Sequence, residues 1–206
     1  MRLGVLISGR GSNMLAIARA CEAPSYPAQI AVIIANRPDA VGLVRAAELG
    51  LKTAVVDHND YRNRGDFDAA LVEHLRAERV ELVCLAGFMR LLTPRFIAAF
   101  PQRILNVHPS LLPSFPGLDA QRQAFEYGVR YSGCTVHLVN AELDAGPIVC
   151  QSAVPIEPGD TENVLAARIL EQEHRLYPEA IRLFAEERVQ VLGRRVQIGP
   201  RTGPLD

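Results

Sequence analysis

The chain has 206 residues, 49% of them hydrophobic, and its 22 Lys and Arg against 23 Asp and Glu give a net charge of −1. This is the composition of a globular protein, and its near-zero charge argues against a nucleic-acid partner, which would require clustered basic side chains. The longest apolar run, residues 82–89, is far below the roughly 18 residues that a membrane-spanning helix needs, so we expect no membrane association.

Short apolar strands alternate with amphipathic helices over the first half of the chain. The pattern predicts strands at residues 3–8, 30–36, 53–57, 82–86 and 103–108, with helices at 13–22, 41–49, 67–78 and 94–100. The strands are apolar throughout, as they are when both faces of a sheet are buried. The alternation therefore predicts an α/β fold with a doubly wound, mostly parallel sheet covered by helices on both faces.

The second half has a different pattern, because prolines interrupt the chain after His108. A helix is predicted at 120–127, followed by strands at 134–139 and 148–154 that have no full helix between them and therefore favour antiparallel pairing. A long helix is predicted at 161–187, then a hairpin of 189–192 with 195–198, and a mobile tail at 199–206. We interpret residues 1–190 as a single domain and residues 191–206 as a terminal hairpin and tail.

The cysteines and the amino terminus bear on the cellular compartment. Cys21, Cys84, Cys134 and Cys150 have no CxxC spacing, which favours free thiols in a reducing environment. The apolar stretch at residues 3–7 is too short for the core of a secretory signal. We therefore expect a cytoplasmic protein.

A glycine-rich turn, residues 8–13, separates the first strand from the first helix. Gly11 exposes backbone N–H groups at a helix amino terminus, and Ser12 and Asn13 add a hydroxyl and an amide, which together suit a phosphate group. The turn is neither a Walker A loop nor a dinucleotide fingerprint, because Met14 stands where the third glycine would be. A tight turn with Ser12 or Asn13 as helix cap fits the same residues.

Two polar residues occupy the end of the strand predicted at 103–108. Asn106 and His108 share one face of that strand, because side chains two residues apart point the same way. Ligands of such folds bind at the carboxyl ends of strands, and two convergent donors suit a developing oxyanion. The alternative is a polar strand end in which Asn106 caps the loop and His108 has a purely structural hydrogen bond.

The turn at residues 142–147 contains Asp144, which is either an ordinary Asp-Gly-Pro turn residue or a partner of His108. A carboxylate beside His108 would keep its imidazole charged. We expect Thr135 and His137 to support such a cluster by contacting its members rather than the substrate. A metal site formed by His108, His137 and Asp144 lacks the usual ligand spacing, so we expect no metal.

Several motifs together resemble one family. The segments Ser-Gly-Arg-Gly-Ser-Asn at 8–13, Leu-Ala-Gly-Phe-Met-Arg at 85–90, Asn-Val-His-Pro-Ser-Leu-Leu-Pro at 106–113 and Leu-Asp-Ala-Gly-Pro at 143–147 occur in this order in the glycinamide ribonucleotide formyltransferases. Gln-Glu-His at 172–174 follows them, and the resemblance covers about residues 1–190. It implies a Rossmann-like formyltransferase fold and a folate-dependent enzyme of purine biosynthesis.

The resemblance also implies substrates and residue roles. The formyl group would pass from 10-formyltetrahydrofolate, a cosubstrate, to the amine of glycinamide ribonucleotide, without a metal, in a monomer or homodimer. The implied roles are catalysis for Asn106, His108 and Asp144; phosphate binding for Gly11, Ser12 and Asn13; ribose binding for Glu173; and folate binding for Arg64, Met89, Arg90, Leu91, Leu92 and Asn106.

Four alternatives remain at this stage. A methionyl-tRNA formyltransferase would need an additional carboxyl-terminal basic domain, for which we expect 206 residues to leave no room. A formyltetrahydrofolate hydrolase would need an additional amino-terminal regulatory domain, which we do not expect because the first predicted strand begins at Leu3. A non-catalytic nucleotide-binding module would bind the ribonucleotide without forming product. A metal-dependent hydrolase would lose its activity to a chelator.

Overall fold

A computed structural model describes residues 1–200 and contains every strand and helix that the sequence predicts. The strands are β1 (Arg2–Ile7), β2 (Gln29–Ala35), β3 (Thr53–Val55), β4 (Leu82–Leu85), β5 (Ile104–His108), β6 (Tyr131–Leu138), β7 (Ile148–Pro155), β8 (Val189–Leu192) and β9 (Arg195–Ile198). The helices are α1 (Ser12–Cys21), α2 (Val41–Glu48), α3 (Arg64–Ala77), α4 (Pro94–Ala99), α5 (Ala120–Tyr127) and α6 (Glu162–Ala185), with a short 3-10 helix at His58–Asp60.

The main sheet has seven strands in the order β3-β2-β1-β4-β5-β6-β7. Neighbouring strands from β3 to β5 pair in parallel, whereas β6 and β7 pair antiparallel. The predicted fold class, a mostly parallel doubly wound sheet with antiparallel strands toward the carboxyl terminus, is confirmed. The hairpin of β8 and β9 forms a separate two-stranded sheet at the predicted residues.

The chain divides into two compact units, the first comprising Met1–Asn106 with Val139–Ala141 and the second Val107–Leu138 with the chain from Glu142 onward. The core of the first unit is built mainly from β1, β2 and β4, of which β4 buries all four of its residues, whereas β3 buries none. Leu71 and Leu75 of α3 and Phe96 of α4 complete this core. Burial of each such side chain stabilises the fold by roughly 1.5–3 kcal/mol, so these helices are held on the sheet by their apolar faces.

The second unit has a smaller apolar core. Leu165 and Ile169, one turn apart on α6, pack with Cys134 of β6 and Val154 of β7. Helix α6 begins where Thr161 caps it, with the Thr161 hydroxyl accepting a hydrogen bond from the Val164 N–H at 3.3 Å. Thr161 is therefore the N-cap residue of this helix.

Many boundaries differ from the prediction by one or two residues, and helix α3 and strand β6 each begin three residues earlier than predicted, at Arg64 and Tyr131. Side-chain capping explains two of these differences. Helix α3 begins three residues before the predicted Phe67, since Asn63 caps it by accepting from the Asp66 N–H at 3.0 Å. Strand β3 ends at Val55 because Asp57 caps the 3-10 helix, its carboxylate accepting from the Asn59 N–H at 2.9 Å. Of the predicted mobile tail, residues 201–206 lie outside the described residues. Over residues 1–200 no helix has the length and apolar character required to cross a membrane.

Candidate active site

The glycine-rich loop joins β1 to α1, and Gly11 is the cap residue of the helix. Gly11 has φ 69°, and a Cβ added there would lie 3.0 Å from the Gly42 Cα, so the position requires glycine. No side chain caps α1, which places Ser12 and Asn13 inside the first turn rather than at the cap. The predicted alternative, in which Ser12 or Asn13 caps the helix, is therefore wrong. The first-turn N–H groups thus have no side-chain cap.

The loop lines a cavity of about 430 Å³ within the first unit. Ala86, Gly87, Met89 and Arg90, which follow β4, form another part of its wall. The Met89 N–H donates to the Ser8 hydroxyl at 2.8 Å, which joins the two segments. Among the residues the structure describes, the lining contains three arginines and no Asp or Glu, and one of the three, Arg37, is paired with Asp39 outside the lining.

Only some of the predicted folate residues belong to this cavity wall. Met89 and Arg90 line it, whereas Leu91, Leu92 and Arg64 do not. Met89 and Leu91 are exposed by 64% and 58%, and Leu92 packs against the core of the first unit. Arg64 is the first residue of α3.

His108 and Asp144 lie together in the second unit. His108 Nδ1 is 3.4 Å from Asp144 Oδ2, and both side chains are more than nine-tenths buried. His108 Nε2 lies 2.8 Å from the Phe115 carbonyl, and since a carbonyl oxygen only accepts, Nε2 carries a hydrogen. Asp144 Oδ2 also accepts from the Gly117 N–H at 2.8 Å. The carboxylate is therefore held against the imidazole by the loop that follows β5.

His137 of β6 lies near the second oxygen of the Asp144 carboxylate. Its Nε2 is 3.7 Å from Asp144 Oδ1, and its Nδ1 donates to the Leu138 carbonyl at 3.0 Å. Burial lowers the pKa of His137, although the Leu138 carbonyl and Asp144 oppose that effect. His137 is thus favoured in its neutral form, beside the carboxylate that contacts His108.

Thr135 fixes the loop that follows His108. Its hydroxyl donates to the Ser110 carbonyl at 2.7 Å and accepts from the Leu112 N–H at 3.1 Å. The Gln151 side-chain amide donates to the Thr135 hydroxyl at 3.0 Å and to the Leu112 carbonyl at 2.9 Å. The side chain of Gln151 was missed by sequence reasoning, because no local pattern places this residue of β7 against that loop.

The remaining predicted residues occupy the positions that follow. Asn106 lies in β5, opposite Leu85 of β4 and two residues before His108. Glu173 is 5% exposed on the buried face of α6 in the second unit. Within residues 1–200, no group of three or more His, Cys, Asp or Glu side chains is arranged to hold a metal ion.

Three polar residues of the cavity wall were missed by sequence reasoning. Asn36 and Arg37 follow β2, and His58 lies just after β3. Their positions in the sequence could have identified them, because each follows the carboxyl end of a parallel strand, where ligand sites of this fold class form.

Comparison with known proteins agrees with this architecture. A family model described as formyl transferase matches residues 1–181. The crystal structure of glycinamide ribonucleotide transformylase 1 from Symbiobacterium toebii is 56% identical, with a TM-score of 0.95 over 97% of this chain and 94% of that one.

Two curated relatives differ greatly in length. The trifunctional purine biosynthetic protein adenosine-3 of Gallus gallus is 45% identical over 93% of this chain, which spans only 19% of that protein. A phosphoribosylglycinamide formyltransferase of Haemophilus influenzae is 43% identical over 92% of this chain and 90% of its own length. The chain therefore belongs to the formyl transferase family and, within it, to the phosphoribosylglycinamide formyltransferases.

Proposed function

We propose that this protein transfers the formyl group of 10-formyltetrahydrofolate to the amine of glycinamide ribonucleotide, a step of purine biosynthesis. The observation that carries the proposal is the buried His108–Asp144 pair, with Nδ1 and Oδ2 3.4 Å apart, at the end of a parallel strand in a chain of this family. Relatives that this chain nearly spans bear the name of this activity.

The reaction needs no covalent enzyme intermediate. The amine nitrogen attacks the formyl carbon and forms a tetrahedral oxyanion. The bond between that carbon and folate N10 then breaks, N10 gains a proton, the amine loses one, and the products are formylglycinamide ribonucleotide and tetrahydrofolate. Positioning and oxyanion stabilisation supply most of the acceleration in such a reaction.

Each catalytic residue has a distinct task in this scheme. In this scheme His108 is protonated and faces Asp144, and it donates from Nε2 to the oxyanion, which takes the place of the Phe115 carbonyl now 2.8 Å away. Asn106 donates a second hydrogen bond from the same face of β5. Asp144 passes the proton, through water, from the attacking amine to the leaving nitrogen.

Substrate binding is assigned to separate residues for the phosphate, the ribose and the folate. Gly11, Ser12 and Asn13 bind the phosphate, supported by a helix amino terminus without a side-chain cap. Glu173 binds the ribose hydroxyls, and folate binds against the segment from Met89 to Leu92 together with Arg64 and Asn106. Exposure of Met89 and Leu91 supports the folate assignment.

Compartment and assembly are also proposals. All four cysteines are free, which supports a reducing cytoplasm. Whether the protein is a monomer or a homodimer stays a prediction.

The experiment is absorbance detection of deformylated folate with and without glycinamide ribonucleotide. We expect product only when the ribonucleotide is present, and strong loss of rate in both Asn106→Ala and His108→Ala. Folate released at the same rate without the ribonucleotide would show a hydrolase instead. Parent rates in both variants would refute the mechanism.

A further inference from the structure

The cavity of the first unit extends beyond the glycine-rich loop to Asn36, a residue that the proposed reaction does not use. Asn36 lines the cavity and is only 3% exposed, yet its Oδ1 has no hydrogen-bond partner among residues 1–200. A buried amide oxygen without a partner loses roughly 1–3 kcal/mol of hydration that nothing replaces. The Oδ1 atom is itself closed to solvent, so a ligand contact requires the Asn36 side chain to turn toward the cavity that it lines.

The side-chain nitrogen of Asn36, Nδ2, has no complementary partner either. His58 Nδ1 lies 2.7 Å from the backbone carbonyl oxygen of Asn36. A carbonyl oxygen only accepts, so Nδ1 of His58 carries a hydrogen. The Asn36 Nδ2 lies 3.3 Å from the same Nδ1, and two donors cannot bond to each other. Asp57 Oδ1, 3.6 Å from Nδ1, does not change this. If the amide is turned over, Oδ1 shares the Nδ1 hydrogen and Nδ2 is left without an acceptor.

A primary amide is matched by a ligand edge that offers one donor and one acceptor. The N6 and N7 atoms of adenine form such an edge, and Asn is a recurrent partner of it, whereas guanine offers two acceptors there. The rest of the cavity favours an anion, because Arg10 and Arg90 line it, whereas the third arginine of the lining, Arg37, is paired with Asp39. The amino terminus of α1 offers its N–H groups to a phosphate in the same cavity.

From these features we propose that the cavity binds adenosine 5′-monophosphate, with its phosphate at the glycine-rich loop and its adenine edge at Asn36. The volume of about 430 Å³ lies in the range of small-molecule sites, roughly 300–1,000 Å³. The nucleotide and glycinamide ribonucleotide then compete for the same loop, so the nucleotide inhibits formyl transfer. This last consequence rests on the proposed function, whereas binding itself does not.

The test is isothermal titration calorimetry of the full chain with adenosine 5′-monophosphate, guanosine 5′-monophosphate, ribose 5-phosphate and inorganic phosphate. We expect the adenine nucleotide to bind about tenfold more tightly than ribose 5-phosphate, as one added pair of buried hydrogen bonds allows. Asn36→Ala removes this preference and leaves ribose 5-phosphate binding unchanged. Asn163→Ala, an exposed asparagine of α6, is the matched control and keeps the preference.

Two further measurements separate a ligand contact from a structural one. The melting temperature of Asn36→Ala should be no lower than that of the parent, because the amide has no complementary partner to lose; a clear drop would indicate a structural role. In the parent protein, the Asn36 side-chain amide resonances should shift with the adenine nucleotide and not with ribose 5-phosphate, which tests the contact even if the variant misfolds.

Particular outcomes overturn the proposal. Equal affinities for the adenine nucleotide and ribose 5-phosphate, or an adenine preference that survives in Asn36→Ala, would refute it. Because calorimetry requires no turnover, an inactive protein that still binds the nucleotide through Asn36 would refute the proposed function and leave this site intact.

Discussion

Replacing Asp144 with asparagine tests the mechanism with little disturbance of the backbone. Asp144 has φ 49°, a left-handed conformation that asparagine tolerates and alanine does not. An asparagine oxygen can still accept from the Gly117 N–H, which lies 2.8 Å from Asp144 Oδ2. The substitution therefore removes the negative charge beside His108 and keeps the loop.

The size of the effect follows from the geometry of the pair. At the 3.4 Å between His108 Nδ1 and Asp144 Oδ2, an effective dielectric constant of about 20 gives a Coulomb attraction of about 5 kcal/mol. Desolvation of two buried groups offsets part of it. We expect kcat/KM to fall roughly 100- to 10,000-fold, the range for loss of a positioned acid or base, or about 2.7–5.5 kcal/mol of transition-state stabilisation.

The assay is the absorbance change of folate deformylation, measured with saturating glycinamide ribonucleotide. Asp119→Asn is the matched control, since Asp119 also has a positive φ, 54°, but an exposed carboxylate whose contact with Arg122 is 3.9 Å. It should retain parent activity. If Asp144→Asn keeps kcat/KM within about threefold of the parent, the charge of Asp144 does not support catalysis and the reasoning fails.

Two further predictions concern stability. Gly11→Ala should lower the unfolding free energy more than Gly50→Ala. An alanine in the positive-φ conformation costs about 1–2 kcal/mol at either position, but only at Gly11 would the added Cβ also lie 3.0 Å from Gly42. Equal losses of unfolding free energy in urea denaturation would contradict this. Because burial lowers the pKa of His137 in the fold, the unfolded chain takes up a proton first as pH falls below about 6.5, and the fold loses up to about 1.4 kcal/mol per pH unit. His137→Asn should reduce the dependence of the unfolding free energy on pH, measured by urea denaturation from pH 7.5 to 5.5. An unchanged pH dependence would contradict the prediction.

The sequence predicted elements best where their ends are marked by local chemistry. Helix α5 has the predicted bounds, since Gly128 ends it in a left-handed conformation with φ 81°. The hairpin of β8 and β9 likewise turns at Gly193, φ 63°. Helix α3 was predicted too short because its first turn is polar and its start depends on the Asn63 cap rather than on apolar spacing.

The residues of the candidate site were predictable to different degrees. The polar end of β5 follows from strand periodicity, and the resemblance to formyltransferases, which the comparisons confirm, favoured Asp144 as a partner of His108 over an ordinary turn residue. Strand periodicity alone could not place Asp144, because it lies in a turn 36 positions after His108 and reaches it only through the fold of the second unit. The roles of all the site residues, Asn106, His108 and Asp144 included, stay predictions.

Asn36 and His58 show what motif-based reasoning omits. Both follow the carboxyl ends of parallel strands, as the glycine-rich loop and the segment after β4 do, and all four line one cavity. The rule that places ligands at strand ends applies to them equally. They were overlooked because neither belongs to a recognisable motif, and because the unpaired state of the Asn36 amide depends on which atom of His58 carries a hydrogen, a property of the folded contact alone. Unsatisfied polar groups at strand ends therefore locate candidate sites that sequence motifs do not.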